Sequence, residues 1–407
     1  MTQLLILGIS LVILVILVRL RLELGLALLA AALVLGVLGG LRPWPLARAV
    51  GAAWYNKMAF DLLASLLSIL VLENVLRNQG YLQRVMASLR LLIRDPRLVM
   101  ALCASFLGLL PSAGGAVLSA PMVEEVAAGL GLSPEEKSTI NYWYRHVWEY
   151  FFPLYPGIIL AAKITGLPIA RVMLLMAPFS VLAILIGIPL ALLGVARPPM
   201  PEKRPALRDR RRALRDLLRG VTPVLAVIVM VLGLGLEVWL AVLIVVLALL
   251  ALHRYGWKRL ATLGREAFSV RTVLLVAGIM AFRGMLEAVG LVEALPKTLA
   301  AMGLPPLSLV ILLPMLLGAL IGLSQGFVGA SFPLLIGILG TGSHAHPGYI
   351  ALAFVSGYTG VMLSPLHLCF VLTIQYFKAS LGRVWLRVLP GMLVILLAAL
   401  GYGWLWR

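Results

Sequence analysis

Charged residues are scarce in this chain: 12% of its 407 residues are Asp, Glu, Lys or Arg, whereas 62% are hydrophobic. So little polar surface cannot coat a water-soluble globule, which excludes a soluble enzyme or a soluble binding module. Lipid must therefore cover most of the surface, and the bilayer is the first partner that the composition predicts.

Cysteine and catalytic motifs are equally sparse. Cys103 and Cys369 are the two cysteines, and both fall within apolar spans, so a disulfide framework is not indicated. No His, Cys, Asp or Glu grouping has the spacing of a metal-ligand set along the sequence, and no Gly-rich phosphate loop precedes a Lys and a Ser or Thr. We therefore expect no metal site, no cofactor, no enzyme activity and no ATP-driven transport.

Acidic residues number 16 against 34 Lys and Arg, which gives a formal net charge of +18. The basic residues cluster in short loops between apolar spans, where they set membrane topology and do not indicate nucleic-acid binding. If the basic segment 196–220 is cytoplasmic, most Lys and Arg residues fall on the cytoplasmic side and both chain termini lie outside. We expect a multi-pass protein of the inner (plasma) membrane without a nucleic-acid partner.

Apolar runs typical of membrane helices recur through both halves of the chain. The run 221–252 is too long for one helix, so we divide it at Glu237. The pattern predicts an all-α polytopic membrane fold with ten transmembrane helices. Their spans are 4–18, 24–41, 59–76, 146–163 and 172–195 in the first half, and 221–236, 238–252, 273–289, 349–377 and 388–404 in the second.

Each half also contains an apolar stretch interrupted by Gly, Ser and Pro, at 98–123 and at 307–339. The helix on either side of each interruption is too short to cross a bilayer. This predicts one re-entrant helical hairpin in each half, with its tip in a cavity lined by protein. A single kinked span is the alternative for both stretches.

The two halves look like one duplicated unit. An offset of 210 residues pairs Gly108 with Gly318, and after a short insertion an offset of 212 pairs Pro153 with Pro365. Each half has five crossings, an odd number, so the second copy must insert upside down. The predicted domains are a first inverted repeat at 1–195, a basic cytoplasmic linker at 196–220 and a second inverted repeat at 221–407.

Two inverted five-helix units, each with a re-entrant hairpin and a helix broken at Pro, resemble the ion-transporter superfamily, which includes dicarboxylate, citrate, gluconate and arsenite carriers. More closely, residues 110–116 (LPSAGGA) and 142–150 (YWYRHVWEY) resemble the uncharacterised membrane family defined by domain of unknown function 401. The superfamily resemblance implies that both hairpin tips and both broken helices line a central substrate or ion site. The Ser-Asn-Thr triplet of the dicarboxylate branch is absent. The matching positions are Ser112, Gly114, Gly115, Pro153, Tyr155, Ser324, Gln325, Gly326, Ser364 and His367.

The residue types at these positions fit solute binding. Small residues at a hairpin tip end one half-helix and begin the next, which leaves backbone N–H groups and a positive dipole end for an anion. Pro153 and its repeat mate Pro365 would remove helix hydrogen bonds in mid-membrane and expose carbonyls to a cation or a donor. Close helix crossing at the small residues and a plain proline kink are the structural alternatives.

Two charged pairs fall within predicted spans. Glu73 and Arg77 are four residues apart, and Arg283 and Glu287 have the same spacing with the signs exchanged. Each pair can neutralise itself on one helix face. We interpret them as structural pairs, with a role in the site as the alternative.

His146 and Glu149 are three residues apart, just before the break at Pro153. With His367 from the other repeat they form the predicted proton-coupling group, because they share a helix face close to the substrate site. A static ion pair between Arg145 and Glu149 at the membrane surface is the alternative.

Together these features predict a secondary active transporter for a small solute, with an organic anion favoured, that works by alternating access coupled to H+ or Na+. A cation/proton antiporter is one alternative, and an intramembrane lipid-handling protein is another from a different class. The expected partners are a small-molecule or ion substrate and the lipid bilayer, and homodimer formation stays open.

Overall fold

The computed structural model describes residues 2–52, 55, 57–109, 115–192, 206–294, 298, 303 and 305–405. Every regular element within these residues is a helix, as the sequence predicts. Several of the helices are apolar along their whole length, so the chain is a multi-pass membrane protein in contact with a lipid bilayer.

Helices follow one another along the described part of the chain with short connections. The first half folds into α1 (Thr2–Arg19), α2 (Leu24–Leu38), α3 (Pro43–Ala52), α4 (Lys57–Asn78), α5 (Tyr81–Leu92), α6 (Pro96–Leu107), α7 (Gly115–Ala127), α8 (Pro134–Arg145), α9 (Pro156–Thr165) and α10 (Ile169–Gly187). The second half folds into α11 (Leu207–Gly233), α12 (Val238–Leu252), α13 (Trp257–Ala267), α14 (Val270–Ala288), α15 (Pro306–Ile321), α16 (Ser324–Leu339), α17 (Pro347–Met362), α18 (Leu368–Phe377) and α19 (Leu381–Trp404).

Four helices among the described residues, α4, α10, α11 and α19, are long and apolar enough to cross a membrane. The bent pair α13 and α14, whose helices differ in direction by 44°, adds a fifth if the pair is one span. The other predicted crossings correspond to apolar helices of 10–17 residues. At about 1.5 Å per residue these are shorter than a hydrocarbon core of about 30 Å, so ten full crossings stay a prediction.

Two of the predicted spans are broken. The span predicted at 146–163, with a break at Pro153, is interrupted there: α8 ends at Arg145 and α9 begins only at Pro156. The span predicted at 349–377 divides into α17 and α18 around Pro365. Proline removes a helix hydrogen bond and disfavours the helical conformation in the residue before it, which explains both breaks.

The segment predicted as the linker 196–220 is partly helical. Helix α11 begins at Leu207 and continues through the basic residues into its apolar part without interruption. The basic part of α11 is largely exposed to solvent. The predicted division of 221–252 matches the structure, since α11 ends at Gly233 and Glu237 directly precedes α12.

Large apolar side chains are exposed along the outer faces of the longest helices, where a soluble protein would carry polar groups. Because no described helix covers these side chains, they are placed to contact lipid acyl chains. They include Leu174, Val181 and Leu185 on α10, Leu225 and Val229 on α11, and Leu386 and Leu397 on α19.

Two glycines bring helices to backbone distance in corresponding parts of the two halves. A Cβ at Gly108, directly after α6, would lie 2.1 Å from the carbonyl oxygen of Arg145 at the end of α8. A Cβ at Gly318 on α15 would lie 2.0 Å from the carbonyl oxygen of Gly357 on α17. Only a residue without a side chain permits this approach. The helix that opens each Gly-interrupted stretch therefore packs tightly on the helix that breaks at proline.

Candidate substrate and ion site

The break between α8 and α9 and the break between α17 and α18 lie against each other in the interior. Tyr358 of α17 donates a hydrogen bond of 3.0 Å to the carbonyl oxygen of His146. Tyr142 of α8 donates one of 2.9 Å to the carbonyl oxygen of Met362. A broken helix leaves carbonyls without helical partners, and these buried tyrosines satisfy one on each side. The two breaks are therefore fixed to each other across the halves of the chain.

His146 and His367 meet where the breaks cross. Their Nε2 atoms are 3.0 Å apart and both side chains are buried. The other ring nitrogen orients each imidazole: Nδ1 of His146 lies 2.6 Å from the carbonyl oxygen of Tyr142, and Nδ1 of His367 lies 2.8 Å from that of Gly322. Glu149 Oε1 lies 3.7 Å from His146 Nε2. The structure thus brings together the three residues of the predicted proton-coupling group, whose role in coupling stays a prediction.

Arg145 and Cys369 lie beside these histidines. Arg145 is buried at the end of α8, and its Nη1 donates a hydrogen bond of 3.2 Å to the carbonyl oxygen of Leu107. Cys369 lies in the first turn of α18 and lines the same cavity as Arg145. One donor atom from each of His146, His367 and Cys369 lies within 4.8 Å of the others. We call this group the His–Cys cluster: Arg145, His146, Glu149, His367 and Cys369.

The helices that open the Gly-interrupted stretches both end beside the breaks. Gly108 follows α6, and its carbonyl oxygen accepts a hydrogen bond from the Tyr155 hydroxyl. Gly322 follows α15 in a left-handed conformation with φ of 73°, and its carbonyl oxygen accepts the hydrogen bond from His367. Tyr155 and His367 are 212 residues apart, the same offset that relates the prolines of the two halves.

The predicted tip residues of the second stretch form the first turn of α16. Ser324 and Gln325 open this helix, and Leu323 before them provides no side-chain cap. The N–H groups of Ser324 and Gln325 precede the first hydrogen bonds of α16, which run from Gly326 and Phe327 to the Leu323 carbonyl, and they lie at the positive end of the helix dipole. Gly326 allows the turn to close, because a Cβ there would lie 2.4 Å from Cγ2 of Ile321.

A cavity of about 470 Å³, which we call the central cavity, opens beside the His–Cys cluster. Arg145 and Glu149 lie at its buried inner end, and Glu23 and Arg271 lie at its exposed mouth. Its volume falls within the range of small-molecule sites. The predicted site residues that line it are Glu149, Tyr155, Ser324, Gln325 and His367.

A second cavity, of about 380 Å³, lies at the opposite end of α9. Tyr155 and the start of α9 line the central cavity, whereas Lys163 and the end of α9 line the second one. Lys163 Nζ lies 2.7 Å from Asp61 Oδ2 and 2.7 Å from Glu237 Oε2. This ion triad, Asp61, Lys163 and Glu237, joins α9 to α4 and to the start of α12.

Other predicted site residues do not reach the central cavity or cannot be placed. Ser112 and Gly114 lie outside the described residues, and Gly115 begins α7. Pro153 is buried within the first break. The Ser364 hydroxyl donates to a carbonyl of α15 over 2.6 Å and accepts a backbone N–H over 3.1 Å, so it fixes the second break.

Both predicted charge pairs form within their own helices. Arg77 contacts Glu73 on α4, and Arg283 Nε lies 2.9 Å from Glu287 Oε1 on α14. Arg283 Nη1 also lies 2.7 Å from the Met58 sulfur at the start of α4. One pair therefore lies near each end of α4, and neither is among the residues that line the central cavity.

Cys369 and the ion triad are not predicted from the sequence. The apolar surroundings of Cys369 predict a small apolar residue, although it stands two positions after His367, directly beyond a proline break. No spacing along the chain predicts the cluster, because His146 and His367 are 221 positions apart. The only local signal was the His-x-Cys spacing next to a predicted break.

A family model described as "Protein of unknown function (DUF401)" matches residues 2–405, nearly the whole chain. The match confirms the resemblance that segments 110–116 and 142–150 indicate. No curated protein matches the sequence significantly.

Proposed function

The chain belongs to the DUF401 family, and we propose that it is a secondary active transporter of the inner membrane that moves a small organic anion by alternating access, coupled to H+ or Na+. One observation carries the proposal: Arg145 and Glu149 from the first half and Ser324 and Gln325 from the second converge on one central cavity. A solute site between two halves of a membrane protein is the geometry that alternating access requires.

Two features of the central cavity favour an anion. The N-terminal turn of α16 presents backbone N–H groups at Ser324 and Gln325, and a helix of 16 residues has a full dipole to add to them. Arg145 adds a buried guanidinium, whose planar fork of donors matches a carboxylate or a similar oxyanion. Glu149 opposes an anion in the same cavity. A cation that offsets the Glu149 carboxylate would therefore enter with the anion, which is a physical basis for coupling.

The paired contacts of the two halves support an inverted duplication. Gly108 approaches the Arg145 carbonyl, and Gly318 approaches the Gly357 carbonyl in the same way. The two glycines are 210 positions apart, and the two carbonyl residues are 212 positions apart. An inverted repeat gives a transporter two equivalent arrangements that face opposite sides of the membrane. We therefore propose two inverted repeats, 1–195 and 221–407, whose interrupted stretches are re-entrant hairpins.

The two cavities support alternating access in one further way. The positive-inside distribution puts the mouth of the central cavity, at Glu23 and Arg271, on the cytoplasmic side. The same distribution puts the second cavity and the ion triad on the outer side. Helix α9 separates the cavities, so this conformation is inward-facing with its outer path closed.

Thermal unfolding of the purified protein with a panel of small carboxylates and oxyanions tests the substrate class. We expect at least one anion to raise the Tm of the wild-type protein and to be taken up by proteoliposomes. The variant Ser324→Pro removes one of the N–H groups of α16, at the first helical position, where proline is tolerated and Leu323 before it is already extended. It should lose most of the shift, whereas the cytoplasmic control Gln79→Ala should keep it. A protein that no anion stabilises, but that exchanges protons for Na+ or K+, would be a cation/proton antiporter and would overturn the anion assignment.

Cysteine labelling tests the cavity itself. In a background of Cys103→Ser and Cys369→Ser, we expect Ser324→Cys to react with a membrane-impermeant thiol reagent applied from the cytoplasmic side. Ser331→Cys, on the same helix but fully buried, is the matched control and should not react. Equal protection of both positions from both sides would contradict an inward-open central cavity.

A further inference from the structure

The two imidazoles of the His–Cys cluster share an unusual tautomer. Nδ1 of His146 and Nδ1 of His367 each lie within hydrogen-bond distance of a backbone carbonyl oxygen. A carbonyl oxygen can only accept, so each Nδ1 must carry the ring proton. In a neutral imidazole the other nitrogen, Nε2, then holds a lone pair. Both Nε2 lone pairs therefore face the interior of the cluster.

The two Nε2 atoms that carry these lone pairs are only 3.0 Å apart. Two acceptors at this distance repel each other unless a cation lies between them, and either a proton or a metal ion can do so. A shared proton needs only the two nitrogens. The cluster has more metal-ligating atoms than that, because the Cys369 sulfur lies within 4.8 Å of a ring nitrogen of each histidine. Glu149 Oε1 lies 3.7 Å from His146 Nε2.

We propose that His146, His367 and Cys369 bind a divalent metal ion of the Zn²⁺ type, with Glu149 nearest to the fourth coordination position. Two imidazoles and a thiolate are the ligands that borderline and soft metal ions prefer. This assignment goes beyond the proposed transport function. A resident metal ion would occupy the predicted proton-coupling group and neutralise Glu149, whereas Arg145 and the start of α16 would stay open to an anion.

The distances fit such an ion. With Zn–N bonds of about 2.0–2.1 Å, two nitrogens of a tetrahedral site are roughly 3.3 Å apart, and the observed 3.0 Å differs by a few tenths of an ångström. Metal-bound histidines usually donate their other N–H to a carbonyl or carboxylate, and both histidines are oriented in this way. A sulfur and a nitrogen of a tetrahedral site are roughly 3.6 Å apart, so a cluster whose donor atoms lie within 4.8 Å of one another would contract by up to about 1 Å around the ion.

The charges and the access route also fit. A divalent ion is neutralised by one thiolate and one carboxylate, so the buried Arg145 would keep its positive charge toward the cavity. Glu149, His367 and Cys369 all line the central cavity, which gives an ion a path to the cluster. His146 closes the site from the buried side.

Metal titration of the full-length protein in detergent tests the proposal. After treatment with a chelator and a thiol reductant, we expect the wild-type protein to bind one Zn²⁺ per chain. Co²⁺ should give a thiolate-to-cobalt charge-transfer band. Because loss of an outer-shell partner alone costs about 10–100-fold in affinity, Cys369→Ser and His367→Gln should each lower the affinity by at least about 100-fold.

Matched variants separate this site from adventitious binding. Cys103→Ser removes the buried thiol of α6, and His344→Gln removes an exposed histidine, so both should bind Zn²⁺ as the wild type does. Glu149→Gln, which keeps the shape of the side chain, should weaken binding without unfolding the protein. Folded wild type that takes up no Zn²⁺, or Cys369→Ser that keeps the Co²⁺ band, would overturn the proposal. Neither result would bear on anion transport, which is measured separately.

Discussion

Replacement of Lys163 by Met tests how strongly the ion triad holds α9 in place. Asp61 is almost fully buried, with a side chain 5% exposed, and Lys163 supplies its ion pair. Loss of the lysine would leave the carboxylate inside the protein without a counter-charge. Breaking a buried pair in this way costs about 3–5 kcal/mol. The lysine is 20% exposed and lines the second cavity, where water screens the charge, so we expect about 2–3 kcal/mol.

Two further variants test whether Asp61 is the carboxylate that needs Lys163. Glu237 is 42% exposed, so Glu237→Gln should cost only about 0–1 kcal/mol. The double variant Asp61→Asn, Lys163→Met removes both buried charges together, and we expect it to be more stable than Lys163→Met alone, because no unpaired ion remains. A coupling of about 1–2 kcal/mol between positions 61 and 163 is the expected size.

The assay is equilibrium unfolding in detergent micelles, followed by tryptophan fluorescence. Lys137→Met is the matched control, because Lys137 pairs with Glu124, whose side chain is 46% exposed, and its loss should cost about 0–1 kcal/mol. A double variant that is destabilised by the sum of the two single variants would show that Lys163 does not neutralise Asp61, and the account of the triad would be wrong.

Three further predictions concern packing, pH and topology. Gly108→Ala should destabilise the protein by about 1–3 kcal/mol, as overpacking does, because the added Cβ would lie 2.1 Å from the Arg145 carbonyl oxygen. An unchanged free energy of unfolding would contradict this contact. The hydrogen bond from Arg90 lowers the pKa of Glu125 below its ordinary 4.5. The pair therefore stabilises the folded state above pH 4.5, and this contribution is lost as the pH falls through the lower pKa of the folded state. Glu125→Gln should reduce the loss of stability at acid pH. A cytoplasm-only reporter fused at Arg407 should stay inactive, and an active one in a folded chain would reverse the topology.

Local chemistry let the sequence indicate much of the fold. Apolar composition requires a lipid solvent, and Pro365 and Pro153 mark both broken helices, because proline cannot complete a helical hydrogen-bond ladder. The start of α8 also had a local signal that hydropathy missed: Ser133 and Glu136 form a capping box, and the polar helix that follows is too hydrophilic for an apolar-span search.

The candidate site could be predicted only in part. The tip and break residues Tyr155, Ser324 and Gln325 line the central cavity, since a chain interruption inside a membrane protein has to lie against a sheltered cavity. The same argument predicts Ser364 and Pro153 in the site, but both lie within the breaks and do not line the cavity. The direction of a side chain in an irregular segment depends on neighbours that are distant in the sequence.

The sequence by itself determined that this is a multi-pass helical membrane protein of the DUF401 family. It also determined where two of the helices break, because a proline interrupts the hydrogen bonds of the helical turn in which it stands. Only the tertiary structure decided that His146 and His367 face each other, that Cys369 joins them, and that Lys163 bridges Asp61 to the start of α12. These groups come from distant parts of the chain. Their meeting depends on how closely packed helices pass one another, which no local pattern encodes.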